Sequence, residues 1–408
     1  MPRQRQRVAV VLGAAGARGG YEAGALSVLV PRLRAAGCEP KVYLGFGAGA
    51  VNAALLTAFA HLEPAEQAGR VLALWHSMPI TQVRRSPLFA VPGATARFVG
   101  QTLRLPGMRL THLLNTAPLQ NTAPLRRKIH AAVDSQQLRD NIAGKGLTLA
   151  VVTTSGDDDR SVVFVERADG VPVPAADDER PIDYVAVRMR PEHVLASAAL
   201  PVVFPPVRIR KPSGATGWYL DGGLRLDAPL KPALALEADA LVIVATHPMR
   251  DSTTTPQPGG LARDVSDVLV ELFNVALTGR LVEDLRTLAK INALLPEDEV
   301  VVTATGRLRR KIPYVLVGPP HREALGRLAH AVLHSKSGYS GGPLARLRQH
   351  ELRLLARAFE GDGPRGGDLI SYLYFDQEFI RASIELGRRD ANALFEGLAI
   401  SEIPWRID

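Results

Sequence analysis

Two adjacent stretches of the chain repeat one pattern. In "RVAVVLGAAGARGGYEAGALSVLV" (7–30) and "KVYLGFGAGAVNAALLTAFAHL" (41–62), a short apolar run enters a glycine-rich turn and leaves it as a long Ala- and Leu-rich stretch. The apolar runs, Val8–Leu12 and Val42–Leu44, carry no polar face and are too short for helices, so they read as buried strands. Tyr21–Ala36 and residues 48–61 read as helices. Strand, tight turn and helix, twice in succession, predict an α/β layer around a parallel sheet. The first two strands are expected to be parallel neighbours, and the helix at 48–61 to be buried.

The rest of the chain extends this plan. "LTLAVVTTS" (147–155), "RSVVFVE" (160–166) and "ADALVIVATHP" (238–248) read as strands. "GWYLDGGLRLDAPL" (217–230) reads as a strand, a turn and an extended segment, and "EVVVTAT" (299–305) and "IPYVLVGPP" (312–320) as two late strands. Helical periodicity occupies 261–295 and most of 343–399, where "GDGPRGG" interrupts it. Residues 80–125 hold several Pro and Arg without a clear period, and include a short echo, "NTAPLQ" then "NTAPLR". Two copies of six residues do not make a solenoid. A body over 1–320, with a cap at about 80–145, and a helical extension over 321–408 packed on it are expected.

The formal charge of +8 and the pI of 9.8 favour anionic partners, a membrane surface among them. The cations are mostly Arg in short scattered clusters, with no zinc-finger spacing, basic zipper or aromatic-rich RNA motif, so no nucleic acid is expected. A single cysteine, Cys38, leaves no internal disulfide framework or Cys-based metal cluster. Asp157–Asp158–Asp159 lacks the alternating ligands of a calcium loop and reads as a solvated turn. No metal and no cofactor are expected. The basic start followed by Val8–Leu12 imitates a signal peptide, but cleavage there would remove the first strand and its glycine loop. An uncleaved cytoplasmic chain, with peripheral membrane contact at most, is expected. No apolar run approaches the ~18 residues of a membrane span.

Four pieces in order resemble the patatin-like phospholipase family. "GAAGARGGYEAGAL" resembles its glycine-rich oxyanion loop, usually G-x-G-x-R-G, and "GFGAGAVNAALL" its G-x-S-x-G nucleophile elbow and following helix. "HVLASAALPVVFPPV" (193–207) is similar to a segment that packs beneath the active site, and "WYLDGG" (218–223) to the D-G-A/G motif with the catalytic Asp. The tail at 369–391 also resembles bacterial members. The resemblance implies a three-layer α/β/α fold with a mainly parallel central sheet, a cap and a helical C-terminal extension. It also implies a Ser–Asp dyad acting on fatty acyl esters, with an acyl lipid or ester as ligand.

Carried over residue by residue, Asp221 is the base, and Gly16, Ala17, Arg18 and Gly19 form the oxyanion loop. Gly45, Phe46 and Gly49 form the elbow, and Gly222 and Gly223 complete the D-G-G motif. The nucleophile position is Gly47, which has no side chain. Natural loss and deliberate exchange of the serine have the same chemical result: no acyl-enzyme can form there. Ala14 stands where the loop pattern expects its first glycine, and Phe46 is bulkier than the small residue expected there and would obstruct the pocket. Ser197 reads as packing, and no His is placed for a Ser-His-Asp triad.

Three functions are compatible with these residues. One is an acyl-hydrolase scaffold, inactive or nearly so, that binds acyl lipid. A second is a non-covalent enzyme using Asp221 as general base beside the oxyanion loop. The third is a dinucleotide-binding protein, since "GFGAGA" fits G-x-G-x-x-G/A after a strand; its expected acidic partner would have to be Glu63 or Glu66, which look helical or loop-borne.

Overall fold

The computed structural model describes residues 6–14, 16–77, 123–200, 204–226, 229–248, 280–296, 301–302, 308–335 and 368–407. β1 (Val8–Ala14) leads through a 3-10 turn, Gly16–Arg18, into α1 (Gly19–Ala35). β2 (Pro40–Gly47) leads directly into α2 (Ala48–Ala58), and α3 (Pro64–His76) follows. Beyond the undescribed 78–122 come α4 (Ala123–Val133), α5 (Gln136–Lys145), β3 (Thr148–Ser155), β4 (Ser161–Glu166) and β5 (Ile182–Ala186). α6 (Pro191–Ser197), β6 (Val207–Ile209), β7 (Gly217–Asp221), α7 (Lys231–Ala235) and β8 (Ala240–Ala245) carry the chain back to the centre. α8 (Arg280–Leu294), β9 (Val301–Val302), β10 (Leu308–Arg309), β11 (Tyr314–Val317), α9 (Ala324–Ser335), α10 (Asp368–Leu373) and α11 (Gln377–Leu394) complete it.

The main sheet runs β11-β8-β1-β2-β3-β4-β5. Its first five strands in that order are mutually parallel; β4 is antiparallel to β3, and β5 parallel to β4. The strands of the first two units are therefore parallel neighbours, as the repeat implies. β1 is buried on both faces: Val8, Val10 and Leu12 join the cluster under α1, α2 and α3, while Ala9 and Val11 join the one under α7 and α8. That two-sided burial is why its sequence shows no alternation. Helices on both faces complete the three-layer α/β/α architecture. α2 is buried along its length but ends at Ala58, three residues short of the expected helix.

Of the strand expected over 299–305, Val301–Val302 lies among the described residues and pairs with Leu308–Arg309 in a separate two-stranded sheet. The turn expected after Asp221 is a 3-10 turn, Gly222–Leu224. The helical expectations over 261–279 and 343–367, and the echo at 115–122, lie outside the described residues.

α11 lies across α1 at backbone contact. A Cβ on Gly24 would sit 2.1 Å from the Ile384 carbonyl oxygen, and one on Gly387 2.1 Å from that of Tyr21. Below α11, Phe379, Ile380 and Ile384 are fully buried. Among the described residues, no helix is long and apolar enough to cross a membrane.

Candidate active site

Parallel pairing of β1 and β2 sets the glycine loop beside the elbow. Leu12 faces Gly45, Gly13 faces Phe46, and Ala14 faces Gly47 at the end of the ladder. α1 and α2 then start side by side, since a Cβ on Gly19 would lie 3.0 Å from that of Ala48. Neither helix start has a side-chain cap. The two helix N-termini, each the positive end of a helix dipole, are thus neighbours. The elbow is tight: a Cβ on Gly45 would meet the Gly49 oxygen at 2.4 Å, and one on Gly49 the Leu12 oxygen at 2.4 Å. Gly47 itself has φ 60° and ψ −138°, a conformation that strains any residue with a Cβ.

Asp221 reaches the same end of the sheet by a change of partner on β3. β2 pairs with β3 as far as Gly45, opposite Val151; two residues further, Thr153 is paired with Asp221 of the antiparallel β7. Two residues of strand span roughly 7 Å, so β7 enters where β2 turns away into the elbow. The Asp221 backbone is pinned: its N–H donates to the Ala199 oxygen at 3.1 Å, and its own oxygen accepts from Thr154 Oγ1 at 2.9 Å. Among the described residues, its carboxylate accepts one hydrogen bond, from the Gly223 N–H at 2.8 Å, and the buried Oδ2 has no partner. Burial pushes the carboxyl up to about 7, partly offset by that bond.

Phe46 is not part of the wall of the large cavity beside the elbow. Its ring lies on the opposite face of β2, in the cluster with Val42 and Leu44. There it closes over Gly13 and Gly223, where added Cβ atoms would sit 2.3 Å and 3.5 Å from ring carbons. A residue's face on a strand alternates with position, so the neighbour of Gly47 points away from it. That cavity, of about 500 Å3, opens at the elbow, its wall reaching Gly16 and Ala48. Val51, Trp75, Leu195, Phe204 and Phe375 give it an apolar interior. Ala198 and Ala199 line it too, linking the wall to the Asp221 backbone through the Ala199 oxygen. Ser197 turns inward and donates to the Val152 oxygen at 2.5 Å, a packing role.

Arg18 is buried and reaches across to the far end of the chain. Its Nε donates to Ser371 Oγ at 2.8 Å and its Nη1 to the Tyr372 hydroxyl at 3.0 Å, with the guanidinium 3.8 Å from the centre of that ring. Nη1 also lies 3.0 Å from His247 Nε2. Arg can only donate, so this imidazole nitrogen accepts. Burial, reinforced by Arg18, holds His247 well below its ordinary range and neutral. Next to Arg18, a Cβ on Gly16 (φ 59°) would strike the Tyr372 oxygen. Gly16 and Arg18 are therefore packed against α10.

A second buried network was not foreseen. Asn52 Nδ2 donates to Glu22 Oε2 at 2.9 Å and to the Gly19 oxygen at 3.1 Å, while Trp75 Nε1 donates to Asn52 Oδ1 at 2.8 Å. Burial raises Glu22 to about 8, so it is protonated at neutral pH. The signal was present: Glu22 and Asn52 interrupt apolar helical runs, and a polar group in such a run needs a buried partner. Their partners could not be read from local pattern.

Asp221 gives a pH prediction. Its folded value, about 7, exceeds the unfolded 3.8, so stability falls as pH rises between the two and stays reduced above. Asp221→Asn keeps an acceptor for Gly223 but never ionises. The variant should be more stable than the parent by about 2–4 kcal/mol at pH 8, with the gap closing near pH 4. Thermal melts of both proteins across this range check it; parallel curves would contradict a raised Asp221.

Residues 10–234 match the family model described as patatin-like phospholipase. Among solved structures, the chain is similar to the crystal structure of VipD from Legionella pneumophila at 12% identity and a TM-score of 0.34, over 95% of this chain and 67% of that one. It is also similar to a chain of the full-length SpcU–ExoU complex from the type III secretion system of Pseudomonas aeruginosa, at 14% identity and a TM-score of 0.24, over 97% of this chain and 79% of that one. No curated protein matches it.

Proposed function

The chain belongs to the patatin-like phospholipase family, whose model spans residues 10–234 of its 408, and from that premise we propose that it is an acyl-hydrolase scaffold without its nucleophile, which binds acyl lipid and hydrolyses it poorly or not at all. One observation carries this reading. The elbow keeps the strained backbone of a nucleophile position, but the residue there is glycine. Serine attack needs an oxygen held on the elbow and a base to take its proton. Asp221 supplies a base at the end of β7, and the helix starts supply N–H donors. The oxygen alone has no source, while the adjoining apolar cavity is of a size that takes an acyl group.

The parent protein is expected to show no turnover of short-chain esters or phospholipid above that of its Asp221→Asn variant, and no acyl adduct by mass spectrometry. The unpartnered Asp221 Oδ2 favours one rival, in which the carboxylate activates water without a covalent intermediate. Substantial turnover by the parent, lost in Asp221→Asn, would establish that rival instead. The dinucleotide reading loses support, because Glu63 and Glu66 lie at the start of α3 and end no strand.

A further inference from the structure

The lining of the large cavity is apolar except for an exposed cationic part. Arg190, Arg208, Arg210 and Lys211 line it there, against a single carboxylate, Glu192. All four cations are exposed. Arg190 is 3.9 Å from Glu192, whereas Arg208, Arg210 and Lys211 have no ion-pair partner among the described residues. The placement follows from local structure. On β6, Ile209 is buried, and the alternation of a strand turns Arg208 and Arg210 outward together. Arg190 is at the start of α6, whose Leu195 and following Ala198 form part of the apolar wall.

Unpaired cations in the lining of an apolar cavity are complementary to a molecule with one long apolar part and an anionic end. Resting on the acyl-lipid reading above, we propose that the cavity takes a single phospholipid of net negative charge, its acyl chain among Val51, Trp75, Leu195 and Phe375 and its phosphate at Arg208, Arg210 and Lys211. Exposed cations contribute modestly one by one, but three or four acting on one phosphate add. Charge therefore sets head-group preference, while the apolar wall sets most of the affinity.

Calorimetric titration of the full chain with monomeric lysophosphatidylglycerol and lysophosphatidylcholine of equal chain length tests this. The anionic lipid should bind about tenfold more tightly at low salt, and the preference should shrink toward 1 M salt, where the screening length is about 3 Å. Arg208→Gln, Arg210→Gln and Lys211→Gln together should bring the ratio near one, weakening the anionic lipid much more than the zwitterionic one, whose choline already offsets part of the phosphate's attraction to these cations. Ala198→Trp, at a half-buried wall position, should weaken both lipids about tenfold while the protein stays folded by circular dichroism. Equal binding of the two lipids by the parent would overturn the charge inference and leave the acyl pocket standing. Binding of neither would overturn the acyl pocket as well. Glycerol 3-phosphate binding as tightly as the anionic lipid, or Ala198→Trp binding like the parent, would overturn the placement of the chain in this cavity.

Discussion

Gly47→Ser is expected to raise hydrolysis of short acyl esters by about a thousandfold or more over the parent. The gain is large because the remaining parts need no rebuilding. Asp221 is fixed through its backbone, and its Oδ2 has no competing partner. The donors at the starts of α1 and α2 are set by the β1–β2 register, which a side chain at 47 does not alter. Stability should move the other way. At φ 60° and ψ −138° a Cβ is strained by about 1–3 kcal/mol, so the active variant should melt below the parent. Gly47→Ala separates the two effects, with the same stability loss and no activity. Adding Asp221→Asn to Gly47→Ser should remove the turnover. A folded, correctly melting Gly47→Ser protein without activity would show that Asp221 does not reach the position of a serine oxygen.

Gly24→Leu should destabilise the protein by about 3–5 kcal/mol, among the larger effects of a single substitution. The first added carbon would already lie 2.1 Å from the Ile384 carbonyl oxygen. Backbone cannot rotate aside as a side chain can, so α11 must shift as a unit. Shifting it opens the packing of Phe379, Ile380 and Ile384, all at 0% exposure, on which the gain from this crossing depends. Gly69 gives the contrast within the same protein. It lies exposed inside α3 with nothing within 4 Å of an added Cβ, and Gly69→Ala should stabilise by about 0.5–1 kcal/mol. Urea unfolding midpoints of the two variants should lie on opposite sides of the parent's; a Gly24→Leu midpoint near that of the parent would contradict the close crossing.

What could be read in advance depended on how local its cause is. Val8–Leu12 and Val42–Leu44 declared themselves because a strand buried on both faces must be apolar throughout, and the glycines after them because backbone packs on backbone there. Asp221 was legible through its place in a short turn motif. The face of Phe46 was not legible in its turn motif, because strand alternation, not the motif, sends its ring to the layer of Val42 and Leu44. Arg18 was legible as part of a loop but not as the buried partner of Ser371 and Tyr372, since no local pattern distinguishes a cation that meets water from one that meets a distant helix. The cationic part of the cavity lining was equally hidden. Arg190 and Arg208 looked like part of a diffuse basic surface until α6 and β6 brought them to one cavity.

The Arg18–Ser371 hydrogen bond joins positions 353 residues apart. On a ribosome adding about 5–20 residues each second, Arg18 emerges roughly 20–70 s before the residues that enclose it. Throughout synthesis of the sheet, its guanidinium must stay hydrated, and the turn at Gly16 must remain open where α10 will later lie. The early strands can pair before then, but the end of the sheet that carries the glycine loop matures last, whichever part of the chain was made first.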